Sequence, residues 1–537
     1  MRKTVRFLAI LLPVALFAQE RVDLSVINRI KQEAFQNSKV MDYVFYLSDV
    51  SGPRIAGSPE YRKAAEWSVK TLKEIGLEDA KMEKWGSFGR SWSYSKGTVN
   101  MIEPVKMSLI ALPLAWAPGT NGPVTGEAML VQVSSVEDAV KLKGQLKGKW
   151  ILYQPARELA LPLEPFAKRY TDAELAAQEQ APEPGAAGFG RGGPRQPGQP
   201  NPMQQYMTQR QIQRKLMEVV KEDGALGVIT PSSRGEGGTL FHGPAGSRTD
   251  TENPPVNVAL VSEQYNRLVR LLEKKITVKL EVDVAAEMHE KQDGFNVIAN
   301  LPGGKKKDEV IIIGGHLDSW HGGTGATDNA IGCAVMMEAA RILKALDLKL
   351  DRTVRVALWD AEEVGLIGSR EYVKANYADP TKMELKKDHG KVSGYFNIDN
   401  GAGKIRGVYL QGNDMMRPVF ESWFAPFKDL GVNTVTIRNT SGTDHLAFDA
   451  VGIPGFQFIQ DPLDYFARTH HSNMDVVERV PKADAMQMSA IVASIVYQAA
   501  TRPEMLPRKA LPKPGSSGSF EAPAAKPEAP KPAAAAK

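Results

Sequence analysis

The stretch IIIGGHLDSWHGGTGATDNAIG, Ile311 to Gly332, closes an apolar run on two glycines and then places His316, Asp318 and Asp328 among small residues. A loop that only turned the chain would need none of the three. ALWDAEEVGL puts Asp360, Glu362 and Glu363 after a second apolar run, YFNIDN puts Asp399 after a third, and RTHHSNMD puts His470 and His471 beyond a fourth. Imidazole and carboxylate together suit Zn²⁺, with Mn²⁺ or Co²⁺ as substitutes. Two such ions about 3.5–4 Å apart can share one carboxylate and one water. That arrangement needs a histidine and a carboxylate per ion, a bridging carboxylate and a base. His316, Asp328, Glu363, Asp399 and His471 fill the ligand roles, and Glu362 remains as the base. Each has a bland reading when taken singly. A strand-end histidine is usually structural, a Glu-Glu pair is usually solvated, and Asp328 suits a helix N-cap. Finding all of them at strand ends favours the metal.

The elements that must position these groups alternate. From Phe295 onward, VIANL, VIIIGG, TVRVALW, VSGYFNID and PGFQFIQ have strand length, while DNAIGCAVMMEAARILKAL and GLIGSREYVKAN have helical spacing. This order predicts an α/β domain with a mostly parallel central sheet covered by helices. Such sheets bind ligands outside the carboxyl ends of their strands, where every candidate falls. Helical patterns also run through 22–49 and 60–75. Between about 104 and 286, short β-like runs alternate with glycine and proline turns. They predict an inserted, mainly β domain with a helix near 262–273.

The expected organisation is therefore a signal peptide at 1–18, a discontinuous catalytic domain at 19–105 and 290–503, an insert at 106–289, and a low-complexity tail at 504–537. Residues 179–205 hold too few apolar groups to offset the entropy of ordering and are expected to form a disordered loop. The tail is expected to be solvated; a wall or membrane tether is the alternative. His242, His289, His321 and His389 lack strand-end context and are expected at the surface or in turns.

Bulk properties bound the partners. Lys+Arg 67 against Asp+Glu 62 gives a net charge of +5 over 537 residues, with no basic block interleaved with aromatics, so nucleic acid is excluded as a partner. The start MRKTVRFLAILLPVALFAQE has a basic head and an apolar run shorter than the ~20 residues of a membrane span. It reads as a secretory signal cut after Ala18, although Leu16 is large for its place, with an uncleaved anchor as the alternative. The expected location is secreted or periplasmic, with no membrane span after cleavage. Cys333 is the single cysteine, so no internal disulfide forms, and it lies in a helical pattern as a small buried group.

The blocks GGHLDSW, GATDNAIG, ALWDAEEVGLIGS, NIDN and THHSNMD, in this order, resemble the co-catalytic zinc exopeptidase family that includes bacterial leucyl aminopeptidases, aminopeptidase Y and carboxypeptidase Q. SGPRIAGSPEYRKAAEWSVKTLKEIG resembles the family's N-terminal segment. The likeness covers roughly 22–105 and 291–502, and the insert resembles a protease-associated domain through GKWILYQPA, EDGALGVITPS and VNVALVS. The resemblance implies a zinc exopeptidase fold and two Zn²⁺ per chain. His316 and Asp399 would bind one ion, Glu363 and His471 the other, and Asp328 both. Asp318 would sit behind His316 and fix its tautomer, and Glu362 would carry the proton. Many family members have tyrosine where this chain has His470; the carboxypeptidase Q branch has a histidine pair. Oxyanion help would then come from His470 or from zinc. Asp444 and His445, in SGTDHLAFD, resemble a cleft-lining segment and fit a structural turn equally well.

The implied activity is an exported di-zinc aminopeptidase or dipeptidase acting on dipeptides or short peptides. A homodimer is open, since relatives include dimers. Two alternatives remain: an inactive receptor-like or binding protein on the same fold, and a single-zinc glutaminyl cyclase-like acyltransferase. The first predicts eroded ligands and the second an incomplete set; neither departure is present.

Overall fold

The computed structural model describes residues 20–180 and 202–515. The expected signal peptide, most of the expected 179–205 loop and the end of the tail lie outside the described residues.

The architecture is α/β. One mixed, mostly parallel sheet carries the five expected strands, beside Thr434–Thr436 and Ile405–Tyr409 at its edge, in the order Thr434–Thr436, Ile405–Tyr409, Gly455–Gln460, Val392–Asn397, Lys306–His316, Arg352–Trp359 and Lys279–Leu301. The four strands from Gly455–Gln460 to Arg352–Trp359 run parallel. They read as near-continuous Ile, Val and Phe because helices cover both faces. The helix Ile331–Ala345 buries twelve of its fifteen residues. It packs with Lys482–Thr501 and Leu24–Gln36 in the largest apolar cluster, where each buried Ile or Leu contributes about 1.5–3 kcal/mol.

The sheet continues into the second half. Lys279–Leu301 pairs along most of its length with Glu78–Glu103, which has 26 residues. The two form a ribbon with several register shifts, leading from one core to the other. Beyond the ribbon follow Val124–Leu130, Lys149–Leu152, Gly227–Pro231, Asn257–Leu260 and Ala111–Pro113 over a separate apolar cluster.

Three differences from the sequence reading have physical causes. The segment read as mainly β also contains the helices Val136–Lys141, Asp172–Glu179 and Pro202–Glu222 beside the expected Ser262–Glu273. Among the described side chains of Pro202–Glu222, only Ile212, Leu216, Val219 and Val220 are buried. That is a narrow helical stripe in a polar segment, easily read as loop. The loop expectation thus overran this helix by its first turn. Residues 504–511, expected in the tail, cross the catalytic half. Leu506 is buried and its N–H donates to Ser393 Oγ at 3.0 Å, while Lys509 Nζ reaches Asp449 Oδ1 at 2.6 Å. Finally, His242, His321 and His389 are buried, and His289 pairs through Nε2 with Ser93 Oγ at 2.8 Å.

Candidate metal centre

His316 is the last residue of its strand, and the chain there runs tight against its neighbours. A Cβ on Gly314 would lie 2.1 Å from the Ala357 carbonyl, so only glycine allows that approach. Gly332 is constrained likewise, by Asn329 Oδ1 at 2.3 Å and the Ile398 carbonyl at 2.5 Å. Between them the loop returns to the sheet. Asn329 donates to the Ile398 carbonyl at 2.7 Å and accepts from Gly332 N at 3.1 Å. Asn329 therefore caps the helix start, and Asp328, expected to cap, keeps its carboxylate for other contacts.

Those contacts join distant segments. Asp328 Oδ1 lies 3.3 Å from His316 Nε2, and Asp399 Oδ2 lies 3.6 Å from the same nitrogen. Asp328 Oδ2 lies 3.5 Å from His471 Nε2, which is 2.9 Å from Glu363 Oε2. Asp328, Asp399 and Glu363 are nearly or fully buried at their side chains. His316 Nε2, Asp328 Oδ2 and Glu363 Oε1 are buried without hydrogen-bond partners. Orphaned polar atoms converging in this way fit cation ligands.

The electrostatics point the same way. Burial pushes His316 toward the neutral form, but Glu362, Asp399 and Asp328 outweigh it and hold its pKa well above the usual value. Burial also opposes the Asp328 charge, yet the His316 and His471 imidazoles pull it below the usual carboxylate range. Burial drives both Glu362 and Glu363 well above that range; Asp399 adds to each, with Asp444 adding to Glu362 and Asp328 to Glu363. The cluster holds more carboxylate than imidazole and is stabilised by positive charge.

Asp318 meets His316 through its backbone rather than its carboxylate. His316 Nδ1–H donates to the Asp318 backbone carbonyl at 2.9 Å, whereas its carboxylate is 3.7 Å away. The carbonyl sets the tautomer and frees the Nε2 lone pair for the cluster. The Asp318 carboxylate instead accepts the backbone N–H of Glu362 at 3.1 Å and of Glu363 at 3.3 Å. Asp360, on the same turn, faces away and accepts from Trp85 Nε1 and Phe295 N.

Arg54 and Asp475 had no role in the sequence reading. Arg54, in SGPRIAG, is buried and donates to the carbonyls of Leu47, Gly52, Leu317, Thr324 and Gly325, lacing down both ends of the loop 317–325. Its signal was an arginine between glycines and prolines, with nothing to mark its partners. Asp475 binds Thr327 N at 2.6 Å and Oγ1 at 2.8 Å. Asp444 is buried with both oxygens unpaired, and burial raises it to about 7. His470 stacks on His471 with ring centroids 3.7 Å apart, and a ring nitrogen joins the group with Asp328 and His471. Its Nδ1 faces Arg234 Nη2 at 2.9 Å. A guanidinium only donates, so Nδ1 accepts and the proton sits on Nε2. Burial lowers the His470 pKa to about 4, which keeps it neutral.

Residues 296–496, which hold the whole cluster, match the model of peptidase family M28. This segment belongs to peptidase family M28. Carboxypeptidase Q of Mus musculus is 25% identical over 494 residues, 91% of either chain. Two solved structures share the fold. The peptidase M28 precursor from Shewanella amazonensis has a TM-score of 0.63 at 22% identity, covering 91% of this chain and 98% of that one. The zinc aminopeptidase BSAP from Bacillus subtilis has a TM-score of 0.54 at 20% identity, covering 86% and 94%. These matches make the chain a relative of peptidases. No described helix is long and apolar enough to cross a membrane.

Proposed function

We propose that this protein is a metallo-exopeptidase holding two zinc ions per chain and removing the N-terminal residue from dipeptides or short peptides. One observation carries the reading: Asp328 divides its two oxygens between a His316–Asp399 pair and a His471–Glu363 pair. His316 and Asp399 would hold one ion, Glu363 and His471 the other, and Asp328 both. Zinc bound there would supply an acidified water and a Lewis acid for the scissile carbonyl.

The chain's own groups do the rest. Glu362, buried beside the cluster, accepts a proton from water and passes it to the leaving amine. His470 keeps a proton on Nε2 for the developing oxyanion. The carboxylate excess suits the α-ammonium of a free N-terminus, which limits cleavage to chain ends. The apolar, basic-headed N-terminus supports export. The insert-like half supports a protease-associated role, since its segment 239–242 pairs with the histidine loop: Phe241 bridges Ser472, and His242 N donates to the His471 carbonyl at 3.2 Å.

The test is hydrolysis of dipeptides and longer peptides, with free and acetylated N-termini, with and without chelator, alongside a metal count. Chelator-sensitive cleavage confined to free N-termini is expected. Cleavage that tolerates acetylation overturns the aminopeptidase reading, and a count near one or none overturns the two-ion site.

A further inference from the structure

Arg234 follows the strand Gly227–Pro231, in the half of the molecule that contributes no metal ligand. It nevertheless stands at the rim of the cluster. Its Nη2 reaches His470 Nδ1 at 2.9 Å and the His470 carbonyl at 3.1 Å, and its guanidinium lies 4.3 Å from the Phe241 ring centre. The backbone around it is fixed: the Arg234 carbonyl accepts from Ser232 Oγ at 2.6 Å, and Ser233 N donates to the Phe241 carbonyl at 3.2 Å. Among the described residues, no carboxylate comes within 4.0 Å of this guanidinium, and Nε and Nη1 have no acceptor. It is also exposed. A held, accessible cation with spare donors on Nε and Nη1 is a receptor for an anion, and a carboxylate can accept a charge-assisted hydrogen bond from either.

The spacing names the anion. In a dipeptide, the free carboxylate lies one residue, about 3.5 Å, beyond the scissile carbonyl. Arg234 is hydrogen-bonded to His470, whose ring stacks on the proposed ligand His471 with centroids 3.7 Å apart. A longer peptide would carry its carboxylate past the guanidinium by about 3.5 Å for each added residue. The substrate's own polarity also matches, with its ammonium toward the carboxylates and its carboxylate toward the arginine. We propose that Arg234 binds the C-terminal carboxylate of the substrate and makes the enzyme selective for dipeptides. This rests on the peptidase reading above.

The test compares a dipeptide, its C-terminal amide and a tripeptide with the same first residue, using the zinc-loaded full-length protein. Wild type should prefer the dipeptide over its amide by about 10-fold or more in kcat/KM, mostly through KM, as loss of a charge-assisted hydrogen bond implies. Arg234→Gln should bring that ratio to within about twofold, and Arg234→Lys should keep part of it. Calorimetric Kd values for the dipeptide and the amide in a Glu362→Gln background should show the same ratio without turnover. Equal rates for acid and amide in wild type overturn the clamp and leave the peptidase standing. So does an Arg234→Gln loss of equal size on all three substrates, which would make Arg234 a support for His470 alone. If wild type cleaves none of the three, the peptidase reading falls and takes the clamp with it.

Discussion

Asp328 meets His316 through a single carboxylate oxygen, Oδ1, 3.3 Å from Nε2, and leaves its second oxygen for the imidazole across the cluster. A carboxylate placed so fits the bridging role proposed for it. Asp328→Asn removes the charge that both need, so metal content after dialysis should fall from about two zinc ions per chain to below one. Elemental analysis reads this directly. Full retention of both ions would refute the bridging role.

Glu362 should separate chemistry from binding. Glu362→Gln is expected to keep wild-type metal content while kcat falls about 10²–10⁴-fold, the usual contribution of a positioned acid–base group. Metal analysis and steady-state kinetics on one preparation suffice. Wild-type turnover in this variant would remove Glu362 from the mechanism.

His471 offers a complementary check. It has φ +60°, a left-handed conformation costing about 1–3 kcal/mol that the surrounding contacts must hold. His471→Ala should lose both turnover and metal. A variant that loses turnover with metal content intact would show that His471 serves the substrate instead.

Arg54 supports the loop from behind. Arg54→Met strands five carbonyls that its guanidinium now satisfies, and unfolding free energy should drop by about 3 kcal/mol or more. Denaturant titration of the metal-free protein isolates this loss from any change in metal affinity. A change under about 1 kcal/mol would mean that the loop holds its shape unaided.

Leu506 tests the docking of the segment after the last helix. Burial against the catalytic core predicts that Leu506→Ala costs about 2–3 kcal/mol. A solvated segment would lose almost nothing, and the same titration distinguishes the two.

The primary sequence alone determined the chemistry available and the type of scaffold. Period-two and continuous apolar runs set the strands, helical spacing set the covering helices, and glycines marked where backbone crowds backbone. The strand-end rule then placed His316, Glu362, Glu363 and Asp399 on one edge of the sheet, because that rule depends only on chain direction and strand order. Tertiary structure alone decided which atoms face each other. No spacing could show that Asp318 orients His316 with its backbone carbonyl while its carboxylate holds the Glu362–Glu363 turn, or that Asn329 frees Asp328 from capping. Burial of His242 and His321, the lacing by Arg54, and the reach of Arg234 across to His470 depend on contacts between residues up to 271 positions apart. Local sequence specifies dihedral preference and periodicity, whereas a buried polar contact exists only once packing has removed water and brought its two ends together.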